Sequence, residues 1–391
     1  MCMSDVAAGM LKWSFTTGNW ARSPVLSLDL STVYVGSLDD HLYALEAATG
    51  SKKWDFNTGF WVDSTPVISP VGPTIYVGSG EGAVFGPGSG PVDNGTFYAI
   101  EAATGKKKWD APSGILISSS PVLSLDGSTV FVGERSNYLS AYDAVNGSKR
   151  WAFQANGPVW SSPTLSADGS VVYIGSLADP DDDSNLYAIH TATGLKQWNF
   201  TAGGWVVGQP ALSPDGSTVY VGASDNNLYA VDAATGIMRW SFATWGRIDR
   251  KLAISPGGTT VYAVSNGPST DNLYAVDAAT GLKKWSFLPD DPSSRRSLQS
   301  AIVQWSYSSS PVLSPDGSTV YFGSQDFHLH AVDAATGSKM SNFTTGAWVA
   351  STPALPPDGA VVCVGSNDHN VYAVWADPKA HDTTIPCPHK E

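Results

Sequence analysis

The chain has few cysteines, few charged residues and no long apolar run. Only three of its 391 residues are cysteines, and this number excludes a disulfide framework. No apolar stretch approaches the roughly 18 residues that a membrane-spanning helix needs. The first residues, MCMSDVAAGM, lack a charged segment followed by an apolar one, so neither a signal peptide nor a lipoprotein signal at Cys2 is predicted.

Cations are also scarce. The 22 Lys and Arg residues face 35 Asp and Glu residues, which gives a formal net charge of −13. Such a charge disfavours nucleic acid and anionic membrane surfaces as main partners. The remaining partner classes are a protein or a small anionic or saccharide ligand, with no membrane insertion. By itself the chain is predicted to be a monomer.

Glycine, proline and tryptophan are abundant and recur at fixed places. The chain spells out eight times a sequence close to SPDGSTVYVGSxDxxLYAVDAATGxxxWxF. The last glycine of the AATG segment falls at Gly50, Gly105, Gly147, Gly194, Gly236, Gly281 and Gly337, with a degenerate first copy at Gly9. Because these residues mark turns at regular intervals, they indicate a repeat protein and not disorder.

A tryptophan follows most of these glycines. The residues concerned are Trp13, Trp54, Trp109, Trp151, Trp198, Trp240 and Trp285, with Met340 predicted to take this place in the last copy. A period of about 42 residues with strand-like content is typical of propeller blades.

Each repeat contains four runs in which apolar and polar residues alternate, as strands A to D of a blade would. We find seven complete sets from Ala21 onwards, an orphan D strand at 10–15 and an orphan A–B–C set at 349–375. The two leftovers complete each other, and pairing them removes two exposed strand edges. The prediction is an all-β fold: one eight-bladed β-propeller of four-stranded blades over 10–376, closed by strand 10–15, with a polar tail at 377–391.

The segments AVDAATGIMRW (230–240) and AVDAATGLKKW (275–285) resemble the tryptophan-docking motif of quinoprotein-type, PQQ-like eight-bladed propellers. The resemblance implies that each repeat tryptophan is a structural dock between neighbouring blades. It also weakly favours an extracytoplasmic location, periplasmic or secreted.

One face of such a disc is predicted to bind ligands. Every long insertion falls in a B–C or D–A loop, at 80–95, 177–184, 266–271 and 288–306, and these loops share a face. The alternative is that this face simply tolerates insertions. The recurring Asp39, Asp225, Asp326 and Asp368 are interpreted as B–C turn formers.

Candidate binding residues lie where the A strands begin, at the mouth of the central channel. A ring of aromatic residues could stack a flat or sugar-like ligand, or pack between blades; its members are Trp20, Trp61, Trp160, Trp205, Trp305 and Trp348. Polar departures from the repeat could hold a carboxylate or phosphate, or neutralise one another; they are Arg22, Asp63, Gln209, Arg247, Asp249, Arg250 and Lys251.

Metal sites are only weakly indicated. The loop containing Asp179, Asp181, Asp182 and Asp183 has oxygen ligands suited to Ca²⁺ but lacks the spacing of a calcium loop. His381, Cys387 and His389 in the tail are a weaker candidate. Cys363 is expected to be a small core residue.

Two functional classes remain open. The resemblance allows a PQQ- and Ca²⁺-dependent dehydrogenase, but the chain has no adjacent cysteines and no residue set that matches a catalytic motif of such enzymes. The interpretation we favour is a non-catalytic binding or scaffold module without a cofactor. Such a module is similar to the lipoprotein of the outer-membrane barrel-assembly machinery or to PQQ-like sensor and adhesion domains. No catalytic residues are assigned.

Overall fold

The computed structural model describes residues 8–80, 94–113, 116–177, 184–267, 271–289 and 309–376. Within these ranges it contains 31 strands and no helix, and therefore no helix that could cross a membrane. The strands form eight antiparallel sheets arranged as an eight-bladed β-propeller, which confirms the predicted fold.

Seven blades have four strands in sequence order, A to D from the channel outwards. The first three are β2 (Val25–Leu26), β3 (Thr32–Gly36), β4 (His41–Glu46), β5 (Lys52–Asn57); β6 (Val67–Ile68), β7 (Thr74–Ser79), β8 (Thr96–Glu101), β9 (Lys107–Pro112); and β10 (Val122–Leu123), β11 (Thr129–Glu134), β12 (Tyr138–Asp143), β13 (Lys149–Gln154). Blades 4 and 5 are β14 (Thr164–Leu165), β15 (Val171–Gly175), β16 (Ser184–His190), β17 (Lys196–Ala202); and β18 (Ala211–Leu212), β19 (Thr218–Gly222), β20 (Asn227–Asp232), β21 (Met238–Ala243). Blades 6 and 7 are β22 (Ala253–Ile254), β23 (Thr260–Asn266), β24 (Asp271–Asp277), β25 (Lys283–Phe287); and β26 (Val312–Leu313), β27 (Thr319–Gly323), β28 (His328–Asp333), β29 (Lys339–Thr344).

Blade 8 is built from both ends of the chain. Its strands are β30 (Val361–Gly365), β31 (Asn370–Trp375) and, on the outside, β1 (Leu11–Thr16). Trp13 pairs with Ala373 and Thr16 with Asn370, and the single bridge between Ala354 and Cys363 stands in for strand A. The predicted closure by the N-terminal strand is therefore confirmed.

Burial follows the position of each strand in its blade. Strand B, as in β3, is buried on both sides because sheets of neighbouring blades pack against it, whereas strand D, as in β5, alternates between exposed and half-buried residues. The core is a series of apolar layers between adjacent sheets, such as the one that joins Val33 and Leu45 of blade 1 to Val371 of blade 8. A propeller thus buries its apolar residues between blades, and each blade depends on its neighbours.

Polar turns join the strands on the face opposite the candidate site. In the PDGS turn of blade 5, Asp215 accepts hydrogen bonds from Ser213 and Ser217, and these bonds lower the pKa of Asp215 to about 2. Gly216 adopts φ of 70°, a conformation that favours glycine. The same bonds recur in other blades, so these carboxylates form turns.

Each repeat tryptophan packs its ring on the AATG glycine of the next blade. A Cβ atom added to Gly147 would lie 2.7 Å from the Trp109 ring, so glycine is required both for this close approach and for its φ of +74°. The indole Nε1 also donates to a backbone oxygen of that next blade. These bonds run from Trp13 to Ala47, Trp54 to Ala102, Trp109 to Ala144, Trp151 to Thr191, Trp198 to Ala233, Trp240 to Ala278 and Trp285 to Ala334, over 2.9–3.2 Å.

The prediction that Met340 takes the docking position is wrong. In the other blades the docking tryptophan pairs with a strand C alanine, as Trp54 does with Ala44, and in blade 7 the residue paired with that alanine is Ser341. Met340 is 54% exposed on the outer surface. Because Ser341 is small, a shallow recess that is open to solvent lies between blades 7 and 8 next to Gly9.

We expect Ser341→Trp to stabilise the protein. An indole at this position would fill the recess and dock on Gly9 as the other tryptophans dock on their glycines. Cavity-filling changes of this kind add about 0.5–2 kcal/mol to the free energy of unfolding. Urea denaturation of Ser341→Trp measures the gain, and Met340→Trp, on the exposed neighbour, is the control that should show none. Equal stability of Ser341→Trp and the unaltered protein would contradict the docking account.

Candidate functional site

The B–C and D–A loops interlock on one face of the disc. Asp39 in the B–C turn of blade 1 accepts a hydrogen bond from the backbone N–H of Gly18, which lies in the D–A loop that enters that blade. Asp368 accepts in the same way from Gly346. These aspartates are turn residues, as predicted, and they hold the loops of this face in fixed positions.

In blades 2, 3 and 8 a buried serine two residues before the A-strand proline connects strands A and B. The hydroxyl of Ser64 donates to the backbone oxygen of Gly78 and accepts from its N–H, both at 2.9 Å. Ser119 and Ser351 make the same pair of bonds in blades 3 and 8. Neighbouring A strands are linked as well, since the N–H of Ser120 donates to the Ser162 hydroxyl. These bonds tie the channel wall together in the blades concerned.

Arg22 and Asp63 form an ion pair between blades 1 and 2. Arg22 Nη2 lies 2.7 Å from Asp63 Oδ1, and the Arg22 side chain is only 9% exposed. The guanidinium also lies 5.8 Å from the Trp20 ring centre. This part of the mouth is thus close to neutral.

Blade 6 carries the cationic part of the mouth. Arg247 Nε lies 3.7 Å from Asp249 Oδ2. Burial raises the pKa of Asp249, and the charges of Arg247 and Arg250 oppose that rise. Lys251 keeps contact with solvent although protein surrounds it inside the ring, and this desolvation lowers its pKa. Three cations beside one acid leave blade 6 with net positive charge.

The Arg22–Asp63 pair and the charged segment of blade 6 belong to blades on opposite sides of the channel. Val62 and Ile248 make equivalent backbone bonds to the B–C turns of blades 1 and 5, so Asp63 and Asp249 occupy matching positions in blades 2 and 6. Blades 2 and 6 are four apart in a ring of eight. Gln209 Nε2, in blade 5, donates to the backbone oxygen of Pro163 in blade 4. Convergence of all these residues on a single ligand stays a prediction.

The aromatic ring at the mouth is only partly regular. Trp20, Trp61, Trp205 and Trp348 are half-buried at equivalent positions, where each backbone oxygen accepts a bond from the B–C turn of its own blade. In blade 4 Pro158 takes that position instead. Trp160 lies two residues further on, under the guanidinium of Arg135 at 4.3 Å.

Sequence reasoning missed Trp245, which has the most exposed aromatic side chain among the described residues, at 79%. It lies at the tip of the D–A loop that enters blade 6, two residues before Arg247. Thr244 holds the loop, since its N–H and hydroxyl both bond to the backbone oxygen of Asn226. The corresponding residue of blade 2 is Gly59. A tryptophan where blade 2 has a glycine was therefore the sequence signal that could have identified Trp245.

Other candidates cannot be placed. Outside the described residues lie Trp305, the loop with Asp179, Asp181, Asp182 and Asp183, and the tail with His381, Cys387 and His389. Cys363 is buried in blade 8, where burial raises the pKa of its thiol to about 12, as expected for a core cysteine.

The blades, docking tryptophans and ring closure define a PQQ-like eight-bladed β-propeller. The sequence model of the outer membrane protein assembly factor BamB matches the chain in three overlapping segments, 1–114, 93–241 and 182–380. The chain therefore belongs to the BamB family of PQQ-like propellers.

Solved structures give the same fold at low sequence identity. The crystal structure of BamB from Moraxella catarrhalis is 16% identical, with a TM-score of 0.71 over 94% of this chain and 99% of that one. The computationally designed Ika8 protein is 14% identical, with a TM-score of 0.72 over 94% of this chain and all of the other. No curated protein matches the sequence. At these identities the likeness concerns the fold alone.

Proposed function

We propose that this propeller is a non-catalytic module that binds a protein partner on the face of the B–C and D–A loops. The observation that carries the proposal is Trp245, exposed on that face in the same loop segment as Arg247, Arg250 and Lys251. Tryptophan and arginine are the residues most enriched among those that dominate protein–protein binding energy. Membership of a family described as outer membrane assembly factors agrees with a partner-binding role outside the cytoplasm.

Charge indicates the chemistry of the partner. The chain as a whole is strongly acidic, with a net charge of −13, so a cationic blade on one face is a local reversal of sign. Such a patch attracts acidic segments of other proteins. The partner surface is therefore acidic, with an apolar spot that receives the indole of Trp245.

The proposal is tested by comparing the two faces of the disc. A photo-reactive amino acid at position 245 reports on the loop face, and one at position 237 reports on the opposite face, where Ile237 is 67% exposed beside a C–D turn. In cells of the organism that produces the protein, we expect the partner to be cross-linked from position 245 but not from position 237. Replacing Arg250 and Lys251 with Ser, the residue most common in the repeat, should reduce the product without changing the melting temperature. Added salt should have the same effect because it screens charges.

The quinoprotein alternative has its own test. Binding of PQQ with Ca²⁺ is followed by the absorbance of the quinone. Saturable binding with a stoichiometry of one per chain would favour the dehydrogenase.

A further inference from the structure

Blade 7 departs from the repeat in its B–C turn and strand C. In blades 1, 5 and 8 the residue four positions after the turn aspartate is a tyrosine whose hydroxyl donates to that aspartate, as Tyr229 donates to Asp225 and Tyr372 to Asp368. In blade 7 this residue is His330, and the residue two before it is His328. Alternate residues of a strand share one face, so both imidazoles lie beside the carboxylate of Asp326.

Their nitrogen and oxygen atoms are close enough to share one ion. His330 Nε2 lies 2.8 Å from Asp326 Oδ2, and His328 Nδ1 lies 3.4 Å from Asp326 Oδ1. His328 Nδ1 also lies 2.8 Å from the backbone oxygen of Asp326, and a bound ion would replace that hydrogen bond. All three ligand atoms fall within 4.8 Å of one another. Zinc ligands stand about 2.0–2.2 Å from the ion, hence roughly 3.3–3.5 Å from one another in a tetrahedron. A zinc ion would replace the proton between Nε2 and Oδ2 and widen that distance by about half an ångström.

The carboxylate of Asp326 makes fewer hydrogen bonds than its counterparts in blades 1 and 8. Asp39 Oδ2 accepts bonds from both the Tyr43 hydroxyl and the Gly18 N–H, and Asp368 Oδ2 also accepts two such bonds. Among the described residues, Asp326 Oδ2 accepts only from His330. Within the described residues, one lone pair of this buried oxygen therefore carries no hydrogen bond.

The site is rigid and shielded. Gln325, next to Asp326, ties the turn to blade 6 through its N–H, which donates to Asp271, and its side-chain amide, which donates to Asn266. The His330 ring is stacked on Phe322 with centroids 5.1 Å apart and packs edge-on against Phe287. His330 and Asp326 are only 1% and 5% exposed, while His328 is half-buried and leaves a path for an ion. Packing of this kind holds Asp326 and His330 in place before the ion binds, whereas His328 has to exchange its bond to the Asp326 backbone oxygen for the ion.

The geometry points to a binding site for a divalent transition metal ion, represented by Zn²⁺, formed by Asp326 Oδ2, His328 Nδ1 and His330 Nε2. Two imidazoles and a carboxylate suit Zn²⁺ and its neighbours in the periodic table far better than Ca²⁺ or Mg²⁺. Three protein ligands leave one tetrahedral position for water or for a partner side chain. The site does not depend on the partner-binding function.

The test is Zn²⁺ binding by the full chain after chelator treatment, measured by calorimetry and by the visible spectrum of bound Co²⁺. We expect one ion at this site, a raised melting temperature and a Co²⁺ spectrum of low coordination number. His330→Tyr should weaken binding at least about 10-fold. This variant should fold normally because tyrosine occupies the position in six of the seven other blades and, in blades 1, 5 and 8, hydrogen-bonds the matching aspartate.

Two controls separate this site from other histidines. His41→Asn alters the matching position of blade 1, where Tyr43 and not histidine completes the set, and it should leave binding unchanged. A variant with Ala at His381 and His389 and Ser at Cys387 should also retain the ion. The proposal is overturned if the unaltered chain binds no Zn²⁺, if His330→Tyr binds it as tightly, or if the tail variant abolishes binding.

Discussion

Trp109→Ala is expected to lower the free energy of unfolding by about 3–5 kcal/mol, as large-to-small core substitutions do. Trp109 is 9% exposed, packs on Gly147 and donates to the backbone oxygen of Ala144 in the next blade. Its loss would empty an interface between two blades and leave that oxygen without its indole donor. Urea denaturation followed by circular dichroism measures the effect.

The matched control is Trp245→Ala, which removes the same side chain from an exposed loop tip. This variant should unfold at the same urea concentration as the unaltered protein, within about 0.5 kcal/mol. Equal losses at both positions would mean that the repeat tryptophans are not docks.

Deleting residues 1–16 should have an effect of similar size. The deletion removes β1, exposes the edge of β31 and takes Trp13 away from Gly50, where it joins blade 8 to blade 1. An open edge of this kind lowers stability and pairs with other chains. We expect a lower melting temperature and association visible by light scattering.

A shorter deletion serves as the control. Removing only residues 1–7 leaves β1 intact, so this chain should melt like the full-length protein. If the chain without residues 1–16 stays monomeric and melts at the same temperature, the ring does not depend on this strand.

The fold was predictable because each blade repeats the same local instructions. The PDGS and AATG turns mark where strands end, and alternation within the strands marks which side is buried. Closure followed from the unmatched strands at the two ends, since an isolated D strand and an isolated A–B–C set would each leave an open edge. None of these steps needs side-chain positions.

The error at the docking position of blade 7 arose because the prediction used residue type and not the position along the strand. Met340 is the apolar residue nearest to the expected tryptophan. Its neighbour Ser341, however, is the residue that pairs with Ala331 and faces the next blade. Asp326 was interpreted only as a turn former, which it is, because its Oδ1 accepts the N–H of His328. That interpretation is correct, and the proposed metal site adds two histidines of strand C, for which the spacing Asp-x-His-x-His was the available signal.

Charge at the channel mouth was predictable in kind but not in arrangement. The sequence does not show that Arg22 and Asp63 neutralise each other across a blade boundary, because that pairing depends on how adjacent A strands align. Trp245 was missed for a related reason. The loop that exposes Trp245 is held by two hydrogen bonds, from the N–H and the hydroxyl of Thr244 to the backbone oxygen of Asn226. Bonds between separate loops of this kind are set by the tertiary structure.

The most direct measurement of the central claim is the ratio of photo-cross-linked partner obtained from positions 245 and 237. Both positions are exposed, and they lie on opposite faces of one rigid disc. The account predicts a product from position 245 that declines with salt and in the Arg250→Ser, Lys251→Ser variant, and little product from position 237. Equal yields from both faces, or a product from position 237 alone, would contradict it.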